Sequence, residues 1–209
     1  MKTTLYLVRS AATEATLAQP PRLQGRQHNF PLARLGVRQA EATRDFLAIR
    51  PIDVCFCSPL LRAIQTATIV AAPHGLAPAP LDDLTECHVG RWEGLDWPSI
   101  RYLEAEAYQR FRKDPAAHGF PAGESYAEVH RRVAPALEKL LDQHAGKAIL
   151  VVSHDVAQRT YLAELLGLAI AQADRLTLDP AGISIVLRHD GATQVATLNA
   201  HFHLQGVAA

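Results

Sequence analysis

The sequence predicts an α/β fold: a three-layer sandwich with a largely parallel central sheet, helices on both faces and a helical cap. Two observations carry this. Short β-prone apolar segments alternate with helical stretches along the chain, the pattern of a sheet whose strands are joined by covering helices. At 209 residues with 48% apolar content, the chain is also long enough to bury a full core as one domain spanning 1–209.

The first predicted strand is "TTLYLV", and "RLGVRQAEATRDFLA" from Arg34 then reads as a helix. "DVCFCS" from Asp53 is a second strand, followed by the helical "LLRAIQTATIVAA". The stretch from Gly94 to Gly123 is rich in charged and aromatic residues and lacks a buried-strand signal, so it reads as a helical cap over the sheet edge. At "GESYAEVHRRV", Ser125 followed by Glu128 is a capping-box signature that starts another helix. "AILVVSH" from Ala148, "GISIVLRH" from Gly182 and "ATQVATLNA" from Ala192 are the remaining strands, the last two joined by a hairpin around "HDGA".

Composition narrows the function. Lys plus Arg equals Asp plus Glu at 21 each, so there is no basic stripe for nucleic acid and no polybasic segment for anionic lipid. No run approaches the ~18 apolar residues of a membrane span, and "MKTTLYLVRS" has no signal-peptide pattern. A cytoplasmic protein with a small partner is expected. Cys55, Cys57 and Cys87 read as small core residues of a reducing compartment, because "CFC" and "ECH" match zinc-ligand spacings poorly. Neither metal nor cofactor is expected.

In an open parallel sheet the ligand crevice lies beyond the carboxyl ends of the strands. Three predicted strands end there in polar residues: Arg9-Ser10, Ser58-Pro59 and Ser153-His154-Asp155. Ser58 as N-cap and Pro59 at N1 would start a helix with Arg62 in its first turn, aimed back over the strand ends. Singly, a strand-end arginine is also a solvated charge and a histidine also an ordinary hydrogen-bonding group. Two guanidiniums and an imidazole converging on one edge make an oxyanion pocket, because arginine presents forked, permanently charged donors.

These residues sit in ordered motifs: "LVRSAAT", "RLQGRQHNFPLARLGVRQA", "CSPLLRAIQTATIV", "LTECHVGRWEGL", "GES", "VVSHDVAQR" and "LNAHFHL". Together they resemble the histidine phosphatase superfamily, in its phosphoglycerate-mutase-like branch, along almost the whole chain. The resemblance implies that Arg9, Arg62 and His154 hold phosphoryl oxygens and that Glu86 protonates the departing alkoxide, with Glu93 structural. Thr16 stands where the family often has a phosphate-binding asparagine. Asp155 stands where a small or amide-donating residue is common; its backbone N–H would serve, while an inward carboxylate would repel an anion.

Ser10 takes the place of the histidine that in the family attacks phosphorus. A serine Oγ falls roughly 2 Å short of an imidazole Nε2, by ordinary bond lengths, and needs a base to become nucleophilic. His154 is the available base, with Asp155 as its orienter in a Ser-His-Asp set, although adjacent strand residues face opposite ways. The substitution therefore predicts a phosphomonoester hydrolase scaffold that is severely impaired, either a natural pseudoenzyme or a His-to-Ser variant of a working phosphatase. The alternative is a binding module that recognises phosphate or a phosphorylated metabolite without turnover.

In the cap, Arg101, Arg110 and Arg112 would form a substrate lid that greets a second anionic group, or would be surface charges paired with Glu104 and Glu106. The family's mutase insertion is short here, which favours a phosphatase over a mutase. Inorganic phosphate or a small phosphorylated metabolite is the expected partner, and a homodimer could form through an edge strand.

Overall fold

The computed structural model describes residues 1–207. The chain runs β1 (Lys2–Arg9), α1 (Glu14–Leu17), α2 (Arg34–Leu47), β2 (Val54–Cys57), α3 (Leu61–Ala71) and β3 (Ala79–Pro80). It continues through α4 (Trp97–Leu103), α5 (Ala105–Lys113), α6 (Tyr126–Gln143), β4 (Ala148–Ser153), α7 (Asp155–Leu165), β5 (Ile183–His189) and β6 (Ala192–Ala200). The six strands form one sheet in the order β3-β2-β4-β1-β5-β6. Its β3–β2, β2–β4 and β4–β1 pairings are parallel, whereas β5 and β6 run antiparallel.

Strand alternation distributes the core. Leu5 and Leu7 of β1, with Ile149 and Val151 of β4, pack on one face against α6 and α7. Tyr6, Val8, Leu150 and Val152 pack on the other with residues of α2 and α3. All six residues of β4 are buried, as expected of a parallel strand covered on both faces, which reads as an unbroken apolar run. Cys55 and Cys57 lie in the second core, where burial pushes their thiols up to about 12 and about 11; neither is a thiolate at neutral pH.

The predicted strands and helices are recovered, including the capping box. Ser125 Oγ accepts from the Glu128 N–H at 3.2 Å and Glu128 Oε2 accepts from the Ser125 N–H at 2.7 Å. The hairpin turn places Asp190 and Gly191 at φ +50° and +80°, the left-handed pair that matches the strand twist. One local expectation fails. Helix α3 starts at Leu61 with Leu60 as N-cap, not at Ser58-Pro59. Its first amide is satisfied from afar: Asn29 Oδ1 accepts from the Leu61 N–H at 2.7 Å, which leaves the Ser58 hydroxyl to face His154.

In the segment predicted as a cap, α4 and α5 gather around an aromatic cluster. Trp92 is fully buried and meets Trp97, Phe111 and Phe120 edge-on at ring-centroid distances of 5.5–6.1 Å, a preferred geometry for aromatic pairs. Among the described residues no helix is long and apolar enough to cross a membrane.

Helix α2 braces the turn that follows β1. A Cβ on Gly36 would lie 2.0 Å from the Ala12 carbonyl oxygen, and Ala12 N donates to Gln39 Oε1 at 3.0 Å. Helix propensity alone favours alanine over glycine by about 1 kcal/mol, but a clash with backbone cannot be relieved by turning a side chain. Gly36→Ala is therefore expected to destabilise the protein by about 1–3 kcal/mol, read as a lower urea midpoint; an unchanged or raised midpoint would contradict this bracing.

Candidate active site

The parallel register sets Arg9 of β1 opposite Ser153 of β4, and Cys57 of β2 opposite Val152. Arg9-Ser10, Ser58 and His154 therefore emerge side by side, and Arg9, Ser10, Arg62, Glu86 and His154 line one cavity of about 480 Å³. Arg62 is only 4% exposed. Its Nη2 donates to the Gly25 carbonyl at 2.8 Å, while its Nη1 has no hydrogen-bond partner among the described residues. Burial lowers the guanidinium to about 10, against the opposing pull of Glu86 and Glu93, so it stays charged at neutral pH. Arg9 Nη1 donates to the Leu178 carbonyl and lies 3.6 Å from Asp155 Oδ1.

His154 is 1% exposed. Burial, and after it the charges of Arg62 and Arg9, push the imidazole well below its ordinary range, so the ring is neutral and carries one donor and one acceptor. Its Nε2 is 2.7 Å from Ser58 Oγ and its Nδ1 3.4 Å from Ser10 Oγ. The ring thus sits between two hydroxyls, and no carboxylate orients it. Asp155 lines the cavity but does not bond the ring, with Oδ1 at 2.8 Å from Arg159 Nε and 3.6 Å from Arg9. The contact with Arg159 lacks hydrogen-bond geometry, since both atoms are otherwise unpartnered. A Ser-His-Asp set is not assembled, and the carboxylate that would repel an anion is flanked by two guanidiniums.

Glu86 is 6% exposed. Its Oε1 accepts from the Cys87 N–H at 2.8 Å, and the carboxyl reaches the Val156 and Ala157 N–H groups of α7 at 3.3 Å. A helix N-terminus favours the carboxylate form, yet burial and then Asp155 outweigh the Cys87 amide and both arginines, and the group is raised. The folded protein holds this proton more tightly than the unfolded chain does. Glu86 therefore adds stability at low pH and withdraws it as pH rises from the ordinary carboxylate range through its raised value. A carboxyl raised above its ordinary range beside two guanidiniums is shifted in the direction a general acid needs.

The other predicted residues divide. Thr16 lines the cavity, but its hydroxyl closes the cap of α1, accepting from the Thr13 N–H and donating to the Thr13 carbonyl at 2.9 Å each. Glu93 binds backbone, its Oε1 accepting from the Gly25 and His28 N–H groups at 2.9 and 3.0 Å. The lid arginines do not face the cavity. Arg101 and Arg110 are exposed on α4 and α5, and Arg112 pairs with Asp174 at 3.0 Å. The cause is the aromatic cluster: Phe111 turns one side of α5 inward, which sends its basic neighbours outward. Trp97, Pro98, Phe120 and Tyr126 form that wall instead, and the further cations are Arg22 and Arg159. Arg159 was legible as the i,i+4 partner of Asp155 on a helix starting at His154; Arg22 lies outside any regular element and carries no sequence signal.

The family model described as histidine phosphatase superfamily (branch 1) matches residues 5–201. The bifunctional protein Rv2228c of Mycobacterium tuberculosis is 35% identical over 199 residues, covering 94% of this chain and 54% of that protein. The chain thus spans about half the length of the first curated relatives it matches. Among solved structures, Bacillus stearothermophilus YhfR superposes with TM-score 0.89 at 27% identity, covering 97% of this chain and 99% of that one. A phosphoserine phosphatase mutant of Entamoeba histolytica, solved in complex with phosphoserine, superposes with TM-score 0.84 at 26% identity over 97% and 99% of the two chains.

Two outcomes test this geometry. Arg62→Met should weaken inorganic phosphate binding by about 2–5 kcal/mol, the cost of removing one partner of a buried charged contact, when followed by calorimetry; retained affinity would show that the anion sits elsewhere. Asp155→Asn removes the carboxylate that helps raise Glu86. The Glu86 side chain, followed by ¹³C NMR, should then titrate at lower pH than in the unaltered chain, and an unmoved titration would reject that coupling.

Proposed function

Because the chain belongs to the histidine phosphatase superfamily, whose model covers residues 5–201, we propose that it is a phosphomonoester hydrolase scaffold, a phosphatase rather than a mutase, that is strongly impaired in turnover. The phosphoryl group sits at the carboxyl edge of the sheet between Arg9 and Arg62. The observation that carries this is the buried Arg62 guanidinium on the cavity with its Nη1 unpartnered. A buried cation with an unused donor is stabilised by a bound oxyanion more than by any group already present.

In this reading the roles follow from position. Arg9 and Arg62 neutralise the non-bridging oxygens and hold phosphorus over the end of β1. Glu86, raised by its burial, delivers its proton to the departing alkoxide. Ser10 occupies the nucleophile position in place of histidine, and among the described residues the base in reach is His154 Nδ1 at 3.4 Å. That imidazole is a weak base, because burial and two arginines hold its protonation down. A hydroxyl that is both too short and poorly activated loses the in-line attack; misplacement of about 1 Å alone costs roughly a hundredfold. The substrate is a small phosphorylated metabolite, a reading supported by the phosphoserine bound in the Entamoeba relative.

A second reading, a phosphate-binding module without turnover, is favoured by one feature: the ring that would serve as base is bonded to Ser58 at 2.7 Å and is only loosely engaged with Ser10.

Hydrolysis of an aryl phosphate by the chain and by Ser10→His separates the two. The hydrolase reading expects histidine to raise turnover by roughly 10³-fold or more, the scale on which a positioned nucleophile acts. Phosphate binding without rescue supports the binding module. Absence of both binding and rescue overturns the anion seat itself.

A further inference from the structure

We propose that Arg132, on α6, is a positioning residue that holds the Glu86 carboxyl at the anion seat by fastening the backbone on which Glu86 is carried. The inference deepens the hydrolase reading and rests on it for the role of Glu86 as acid.

Glu86 stands in a stretch without regular secondary structure, between a short 3-10 turn at Asp82–Leu84 and another at Gly90–Trp92. The carbonyls of such a stretch have no ladder or helix to bond and require donors from elsewhere. Arg132 supplies them. Its Nη1 donates to the Asp83 and Thr85 carbonyls at 2.9 and 2.6 Å, and its Nη2 to the Glu86 carbonyl at 3.1 Å. The remaining two N–H groups go to the Glu124 carboxylate, Nε to Oε1 at 2.9 Å and Nη2 to Oε2 at 3.1 Å. All five guanidinium donors are used.

Glu124 pins the other side of Glu86. Its Oε2 accepts from the His88 N–H at 2.8 Å, and its own backbone N–H donates to the His88 carbonyl at 2.7 Å. Gly123 permits this approach, since a Cβ there would lie 2.1 Å from the His88 oxygen. The Arg132 guanidinium bonds hold the Glu124 carboxyl below the usual carboxylate range, so the pair stays ionic at neutral pH. Residues 83–86 are thus held by Arg132 and residue 88 by Glu124, while Ser153 Oγ donates to the Leu84 carbonyl at 2.7 Å and ties the same stretch to β4. The planar fork matters here. A lysine has three donors around one point and cannot span three carbonyls and a carboxylate.

The groups facing the Glu86 carboxyl are Asp155 and the Val156 and Ala157 amides from α7, Arg62 from α3, Arg9 from β1, and its neighbour Cys87. Arg132 touches none of their side chains. Its charge reaches the same region, acting on His154 and Cys87, and by itself favours the Glu86 carboxylate; its bonds set the backbone position, and therefore how deeply the carboxyl is buried against that set.

The test uses Arg132→Met and Arg132→Lys in the full chain, with the Glu86 carboxyl titrated by ¹³C NMR, phosphate affinity measured by calorimetry, and the thermal midpoint recorded. Expected is a fall of the Glu86 titration by about one pH unit in Arg132→Lys, where one unit is the scale of ordinary environmental shifts, with a smaller fall in Arg132→Met, where loss of the cation pulls the other way, and phosphate affinity altered less. If the methionine variant does not fold, the lysine variant, which keeps the charge and loses the fork, decides. A Glu86 titration unmoved in the folded variant overturns the proposal whether or not the chain turns over.

A kinetic arm in the Ser10→His chain adds the chemical readout. Arg132→Lys should slow an alkyl phosphate ester by roughly 100-fold, the lower end of general-acid contributions, and leave a dinitrophenyl ester, whose leaving group needs no proton, nearly unchanged. Equal slowing of both esters would mark Arg132 as a generally structural residue and overturn the assignment. Failure of the hydrolase reading would instead appear as no turnover in Ser10→His, with or without phosphate binding.

Discussion

The parallel register of β1, β4 and β2 is the constraint on which the rest of the structure depends. Arg9 pairs with Ser153 and Cys57 with Val152, so three chain segments far apart in sequence leave the sheet at one height. A slip of one residue would turn every side chain of a strand to the opposite face. That slip is opposed by two cores at once, because Leu5 and Leu7 are buried on one side and Tyr6 and Val8 on the other. The site is thus positioned by hydrophobic packing of strands whose buried apolar residues take no part in its chemistry, Arg9 at the end of β1 being the strand residue that enters it.

Around those strand ends, each ionisable group sets the state of the others. Arg62 and Arg9 help keep His154 neutral, burial and then Asp155 raise Glu86 above the ordinary carboxylate range, and the Glu86 and Glu93 carboxylates partly offset the burial of Arg62. The result is charged guanidiniums, a neutral imidazole, a carboxyl raised above its ordinary range and the Asp155 carboxyl around a single cavity. A low-dielectric, fixed arrangement of donors interacts with a dianion without having to reorganise when it arrives. The same burial leaves the Arg62 guanidinium with one nitrogen unbonded among the described residues.

The cap segment shows how packing overrides charge. A row of arginines suggests a cationic lid, but α5 is oriented by Phe111 against Trp92, Trp97, Phe120 and Tyr126. Burying those rings is worth more than any exposed charge contact, so the aromatic face turns inward and lines the cavity with Trp97, Phe120 and Tyr126.

The sequence by itself determined the layer order of strands and helices, the capping box at Ser125 and the hairpin at Asp190-Gly191. These are encoded in periodicity and local turn chemistry, which act over a few residues. Only the tertiary structure decided that α3 begins at Leu61, because its cap comes from Asn29, 32 residues away. The same holds for the lid arginines facing outward, for His154 bonding Ser58 instead of a carboxylate, and for Arg132 gripping the stretch that carries Glu86. Each of those depends on a partner that neighbours it only after the sheet and its covering helices have packed, and no pattern within either segment alone carries that information.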